Sequence, residues 1–71
     1  MFEFKKEELV VLIPELDDEN VNRVYKVLNV RNNQVDVEVF SEKFINKSNN
    51  SWSTIGKVFK DIMSSSFKPY M

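Results

Sequence analysis

The chain has 71 residues, eleven acids against ten bases for a net charge of −1, no cysteine and no histidine. That inventory excludes a disulfide framework, a cysteine- or histidine-held zinc, thiolate chemistry and the Ser-His and Cys-His pairs of nucleophilic catalysis. A single glycine, Gly56, excludes the glycine-rich loops that cradle phosphates. Apolar residues at 42% and aromatics at 13% suffice for a folded core, so the expectation is one domain over 1–71, without catalysis, cofactor or metal.

Leu9-Val10-Val11-Leu12-Ile13 is a β-branched run stopped by Pro14, which biases Ile13 toward extended geometry. Residues 9–13 therefore read as a strand. A helix from about Lys5 to Leu12 is the competing reading, since Glu3, Glu7 and Glu8 suit a helix start. At five residues this is the longest apolar run, too short to span a bilayer. Met1-Phe2-Glu3-Phe4 mixes acid with apolar residues and does not read as a secretory leader. These two points predict a cytoplasmic protein without a membrane partner. The sequons at Asn46 and Asn49 then read as chance. Glu15 to Asn22 is a polar loop whose acids lack the alternation and glycine of a calcium loop.

The strongest local signal is a hairpin. Val21–Arg31 and Gln34–Phe40 flank Asn32-Asn33, and asparagine tolerates the positive φ of a tight turn. A two-residue loop sets Arg31 opposite Gln34, Val30 opposite Val35 and Leu28 opposite Val37. That register places Val24, Leu28, Val30, Val35, Val37 and Val39 on one face, with Lys26 the charged intruder. The other face, with Arg23, Tyr25, Val27, Asn29, Asp36, Glu38 and Phe40, is half apolar and expected to be partly covered.

Beyond Ser41, Phe44-Ile45 suggests a short strand or anchor. Ile55, Val58, Phe59, Ile62 and Met63 then recur at i, i+3, i+4, i+7 and i+8, which predicts a helix over 53–64. Ser51 or Ser53 would cap it, Trp52 would pack beneath it, and Gly56 would mark close backbone packing. The tail 65–71 carries Phe67 and Tyr70, for docking on the body or on a partner. The fold class is thus α+β: a small twisted antiparallel sheet with one C-terminal amphipathic helix.

Residues 4–40 resemble the opening of SH3-like small β-barrels. The likeness is carried by Phe4-Lys5-Lys6-Glu7-Glu8 leading into Leu9–Pro14, then by Arg23–Val30 and Gln34–Val39. Glu7-Glu8 stands where that family commonly has Gly-Asp. The resemblance implies a partial barrel and a binding module for protein or nucleic acid, with no catalytic residue.

Net charge conceals polarity. Residues 1–20 carry −5 and the remainder +4. Glu7, Glu8, Glu15, Asp17, Asp18 and Glu19 form a candidate acidic surface that would engage a basic, nucleic-acid-binding host protein as a nucleic-acid mimic. Eight Asn and eight Lys beside two Arg and no Ala match an AT-rich genome, so the expected source is a low-GC bacterium or its phage. The specific expectation is an accessory or inhibitor protein of a phage or a low-GC bacterium, in the cytoplasm, which is the host cell's if the protein is phage-encoded. The alternative is an SH3-like nucleic-acid-binding module using Arg23, Lys26 and Arg31, although a sequence pI near 5.3 opposes it. A third is a homodimer or structural oligomer. Tyr25, Phe40, Phe67 and Tyr70 are the candidate apolar contacts.

Overall fold

The Val35-Asp36-Val37-Glu38-Val39 alternation lies near the middle of a five-stranded antiparallel sheet in a computed structural model that describes residues 3–18, 21–45 and 52–70. The strands are β1 (Leu9–Leu12), β2 (Val21–Arg31), β3 (Gln34–Phe44), β4 (Val58–Met63) and β5 (Phe67–Pro69). Their order across the sheet is β4-β3-β2-β1-β5. One 3-10 turn, Pro14–Leu16, follows β1, and another, Ser64–Ser66, carries the chain from β4 to β5. The second turn joins both ends of the sheet. Ser64 N–H donates to Asn33 O and Ile13 N–H to Ser66 O, each at 2.9 Å.

The sheet rolls onto one face. Tyr25, on the central strand β2, meets Phe59 of edge strand β4 with centroids 6.5 Å apart and Phe67 of edge strand β5 at 5.5 Å, both edge-on. Aromatic pairs at these distances prefer that geometry. Around them the core gathers Phe4, Val10, Val27, Val35, Val37 and Val39, with Leu12 and Ile62 packed against it. Fully burying a valine contributes about 1.5–3 kcal/mol before chain entropy is counted. With no cysteine to form a disulfide, those valines and the rings of Phe4, Tyr25 and Phe67 hold the fold.

The hairpin closes at Asn32-Asn33, with Asn33 at φ 60° and Arg31 opposite Gln34. From Leu28 the pairing departs from simple extrapolation: Val27, not Leu28, faces Val37. A second shift leaves Phe40 extra on β3, between the pairs Tyr25–Val39 and Val24–Ser41. Each bulge inserts a residue and flips the faces beyond it. The expected inner face therefore holds for Val35, Val37 and Val39 on β3 but fails on β2. There Tyr25 and Val27 enter the core, while Val24 and Leu28 are half-buried and Val30 is exposed.

The expected helix over 53–64 is absent, and no α-helix occurs among the described residues. Thr54 to Lys57 form a turn closed by Lys57 N–H to Thr54 O at 2.9 Å, with Gly56 at φ 90° in its third position. That is the type II arrangement, which favours glycine there. Nothing lies within 4 Å of where a Gly56 Cβ would sit, so conformation rather than close packing requires the glycine. Residues 58–63 are strand β4, and a bulge explains the misleading period. Val35 pairs with Ile62 and Val37 with Phe59, so three residues of β4 span two of β3. The two inward side chains thus stand at i and i+3, a helical spacing produced by a bulged strand. Ser53 Oγ accepts from Ile55 N–H at 3.4 Å instead of capping a helix, and Trp52 is 81% exposed instead of buried. Ser51 lies outside the described residues. The fold is accordingly a nearly all-β sheet domain, not α+β.

Candidate functional site

The three cations of β2 are the first test of site geometry, because a nucleic-acid surface needs them available. Arg31 donates to both oxygens of Asp36, from Nη1 at 2.9 Å and Nη2 at 2.7 Å, and also bonds Asp61. Asp36 is buried and further accepts from Asn29 Nδ2 at 3.3 Å and from the Asp61 N–H at 2.9 Å. Arg31 donation and the Asp61 N–H hold the Asp36 carboxyl well below the usual carboxylate range, outweighing burial. The same bond to Asp36 raises the Arg31 guanidinium further above its ordinary value. This node also clamps the β4 bulge, since Asp61 sits at φ 59°, where a non-glycine residue needs support.

Arg23 is engaged likewise. Its Nε donates to Glu42 Oε2 at 3.2 Å and to Thr54 Oγ1 at 3.1 Å. Glu42 accepts from the Thr54 N–H at 2.8 Å and hydroxyl at 2.6 Å, which ties the loop before β4 to the end of β3. Burial pushes the Glu42 carboxyl up, but donors from Thr54, Ser53 and Arg23 prevail and lower it. Burial raises the pKa of the nearby Tyr25 hydroxyl, against the opposing pull of the Arg23 charge. Lys26 is held more loosely, 4.0 Å from Glu38 and 5.9 Å above the Phe40 ring. Every cation of the alternative set therefore has a carboxylate partner on β3.

The acidic set is arranged differently. Glu7 and Glu8 form a turn before β1, with Glu7 at φ 70° and its N–H donating to Val27 O at 2.7 Å. Glu15 lies in the 3-10 turn after β1, and Asp17 and Asp18 follow it. Glu19 falls outside the described residues. The acids thus stand in two groups, at the two ends of a strand about 10 Å long. Among the described residues no three acids gather as a metal cluster would. Glu7, Glu15 and Asp17 enter none of the four ion pairs of the described residues, which join Arg23, Lys26 and Arg31 to carboxylates of β3 and β4.

Of the candidate apolar contacts, Tyr25 and Phe67 belong to the core, while Phe40 and Tyr70 are about half exposed. Tyr70 borders a groove of about 520 Å³ whose wall includes Val11, Pro14, Val24, Asp17 and Lys68. Sequence reasoning missed Asp36, Glu42 and Asp61 as ligands of the arginines. One signal was available: the hairpin register sets Asp36 opposite Asn29, diagonal to Arg31 on the same face. Asp61 and Thr54 reach those sites through β4 pairing, which the helical reading hid.

Compared with protein families, curated proteins and solved structures, the chain matches none. No helix among the described residues is long and apolar enough to cross a membrane.

Proposed function

We propose that this chain is a non-catalytic binding module of the SH3-like small-barrel kind, an accessory or inhibitor protein that engages a basic nucleic-acid-binding protein through the acidic turns flanking β1. The observation that carries the reading is the asymmetry of pairing: the β2 cations are bound to carboxylates of their own chain, whereas Glu7, Glu15 and Asp17 enter no ion pair among the described residues. Lysines and arginines that grip phosphate are drawn equally to carboxylates, and unscreened charge speeds such encounters. Two anionic turns held apart by β1 are how such a surface would stand in for a phosphate backbone. The rolled five-strand sheet supports the SH3-like part. The composition supports a phage-encoded protein at work in the cytoplasm of an AT-rich host.

The test is paired affinity capture from a low-GC bacterial lysate at low salt, with mass spectrometry of the retained proteins. Wild-type bait is expected to retain basic nucleic-acid-binding proteins that elute with salt. Bait carrying Glu15→Lys, Asp17→Lys and Asp18→Lys is expected to lose them. An unchanged retained set would overturn the proposal.

A further inference from the structure

The sheet has a second apolar face. Leu9 pairs with Lys26, Lys26 with Glu38, and Glu38 with Val58, so one row crosses four strands on the side away from the core. Val11 and Val24, two residues along their strands, share that side, and Phe40 lies under the Lys26 ammonium. Phe40 is 49% and Val58 42% exposed, and Leu9, Val11 and Val24 are only half-buried. A sheet face of this make-up calls for a covering layer.

The sheet edges are poor places for that layer to join. β4 carries the Asp61 bulge with charges at Lys60 and Asp61, and β5 is three residues long and ends in Pro69. Bulges, charges, short length and proline all blunt strand addition. The face remains, and its chemistry is self-complementary. Read across the strands, the row runs apolar, cation, anion, apolar. A two-fold axis lying between two stacked sheets, parallel to the strands and between β2 and β3, reverses that order. It sets Leu9 over the second copy's Val58 and Lys26 over its Glu38. Along that row a nucleic acid or a strongly charged protein would meet one cation beside one anion, whereas a second copy meets its complement.

We infer that this chain forms an isologous dimer through the outer face of β1–β4, with Phe40 and Val58 as apolar anchors and reciprocal Lys26–Glu38 pairs at the centre. The inference stands apart from the acidic-surface reading, because it uses none of Glu7, Glu15 or Asp17. Sedimentation equilibrium on the full chain, from about 1 μM to about 1 mM, spans the range in which such association is read. Wild type is expected to dimerise. Lys26→Glu alone and Glu38→Lys alone each set like charges together twice, and each is expected to weaken dimerisation at least tenfold. An equimolar mixture of the two restores opposite pairs and is expected to form a heterodimer. Val58→Ser is expected to weaken wild-type dimerisation about tenfold, and it decides the matter even if a charge variant fails to fold. A wild-type chain that stays monomeric, single variants that dimerise like wild type, or a mixture that stays monomeric would each overturn the inference.

Discussion

The β2–β4 half of the sheet and the β1 segment carry opposite charge, and they handle it differently. In the first, arginines sit on bulged strands beside carboxylates that the bulges turn toward them, and Asp36 gathers four donated hydrogen bonds. In the second, Glu7 and Glu8 precede a four-residue strand, and Glu15, Asp17 and Asp18 follow it. The difference shows that a linear count of charges misjudges a surface. The cations of β2 pair with carboxylates of their own sheet, whereas Glu7, Glu15 and Asp17 enter none of the ion pairs among the described residues.

Breaking the paired half should have the largest effect. Asp36→Ala strands Arg31, the Asp61 N–H and the β4 bulge together, and thermal unfolding followed by circular dichroism should show Tm lower by about 10 °C or more. The pH dependence follows the same carboxylates. Asp36 and Glu42 have folded values below their unfolded ones, so their contribution is present above about pH 4 and lost as pH falls further. Tyr25 has a raised value, so its contribution is present below about pH 10 and lost as pH rises through the folded value. Tm should be flat between about pH 5 and pH 9, and Asp36→Asn should reduce the acid limb of the curve.

A smaller loss is expected from Glu42→Ala, which frees Arg23 and the Thr54 loop, with Tm lower by about 5 °C. Gly56→Ala forces a side chain into φ 90° and should cost about 1 kcal/mol in denaturant unfolding. The acidic segment supplies the contrast. Glu15→Lys with Asp17→Lys should move stability by no more than about 0.5 kcal/mol while abolishing partner capture. If those reversals unfold the protein, the distinction between the two regions fails.

Legibility in the sequence followed the bulges. The turn at Asn32-Asn33, the strand before Pro14 and the inward valines of β3 were readable, because alternation and turn chemistry there are local. Tyr25 and Val27 were assigned to the wrong face because extrapolation across Leu28 ignores an inserted residue. The helix over 53–64 was inferred from Ile55, Val58, Phe59, Ile62 and Met63 at helical spacing, and the bulge at Asp61 creates the Phe59–Ile62 step of that spacing within a strand. The acids were found as residues, but their division into two turns depends on where β1 begins and ends. The pairing of Arg23 and Arg31 depends on β3, β4 and the Thr54 loop coming together, and no local pattern carries that.

The asymmetry of pairing is tested most directly by a gel-shift titration of duplex DNA with the wild-type chain at low salt. With Arg23, Lys26 and Arg31 bound to Glu42, Glu38 and Asp36, the DNA should migrate unretarded at every protein concentration. Retardation that disappears in Arg31→Ala would contradict the account, because it would mean that the guanidinium held by Asp36 is available to phosphate.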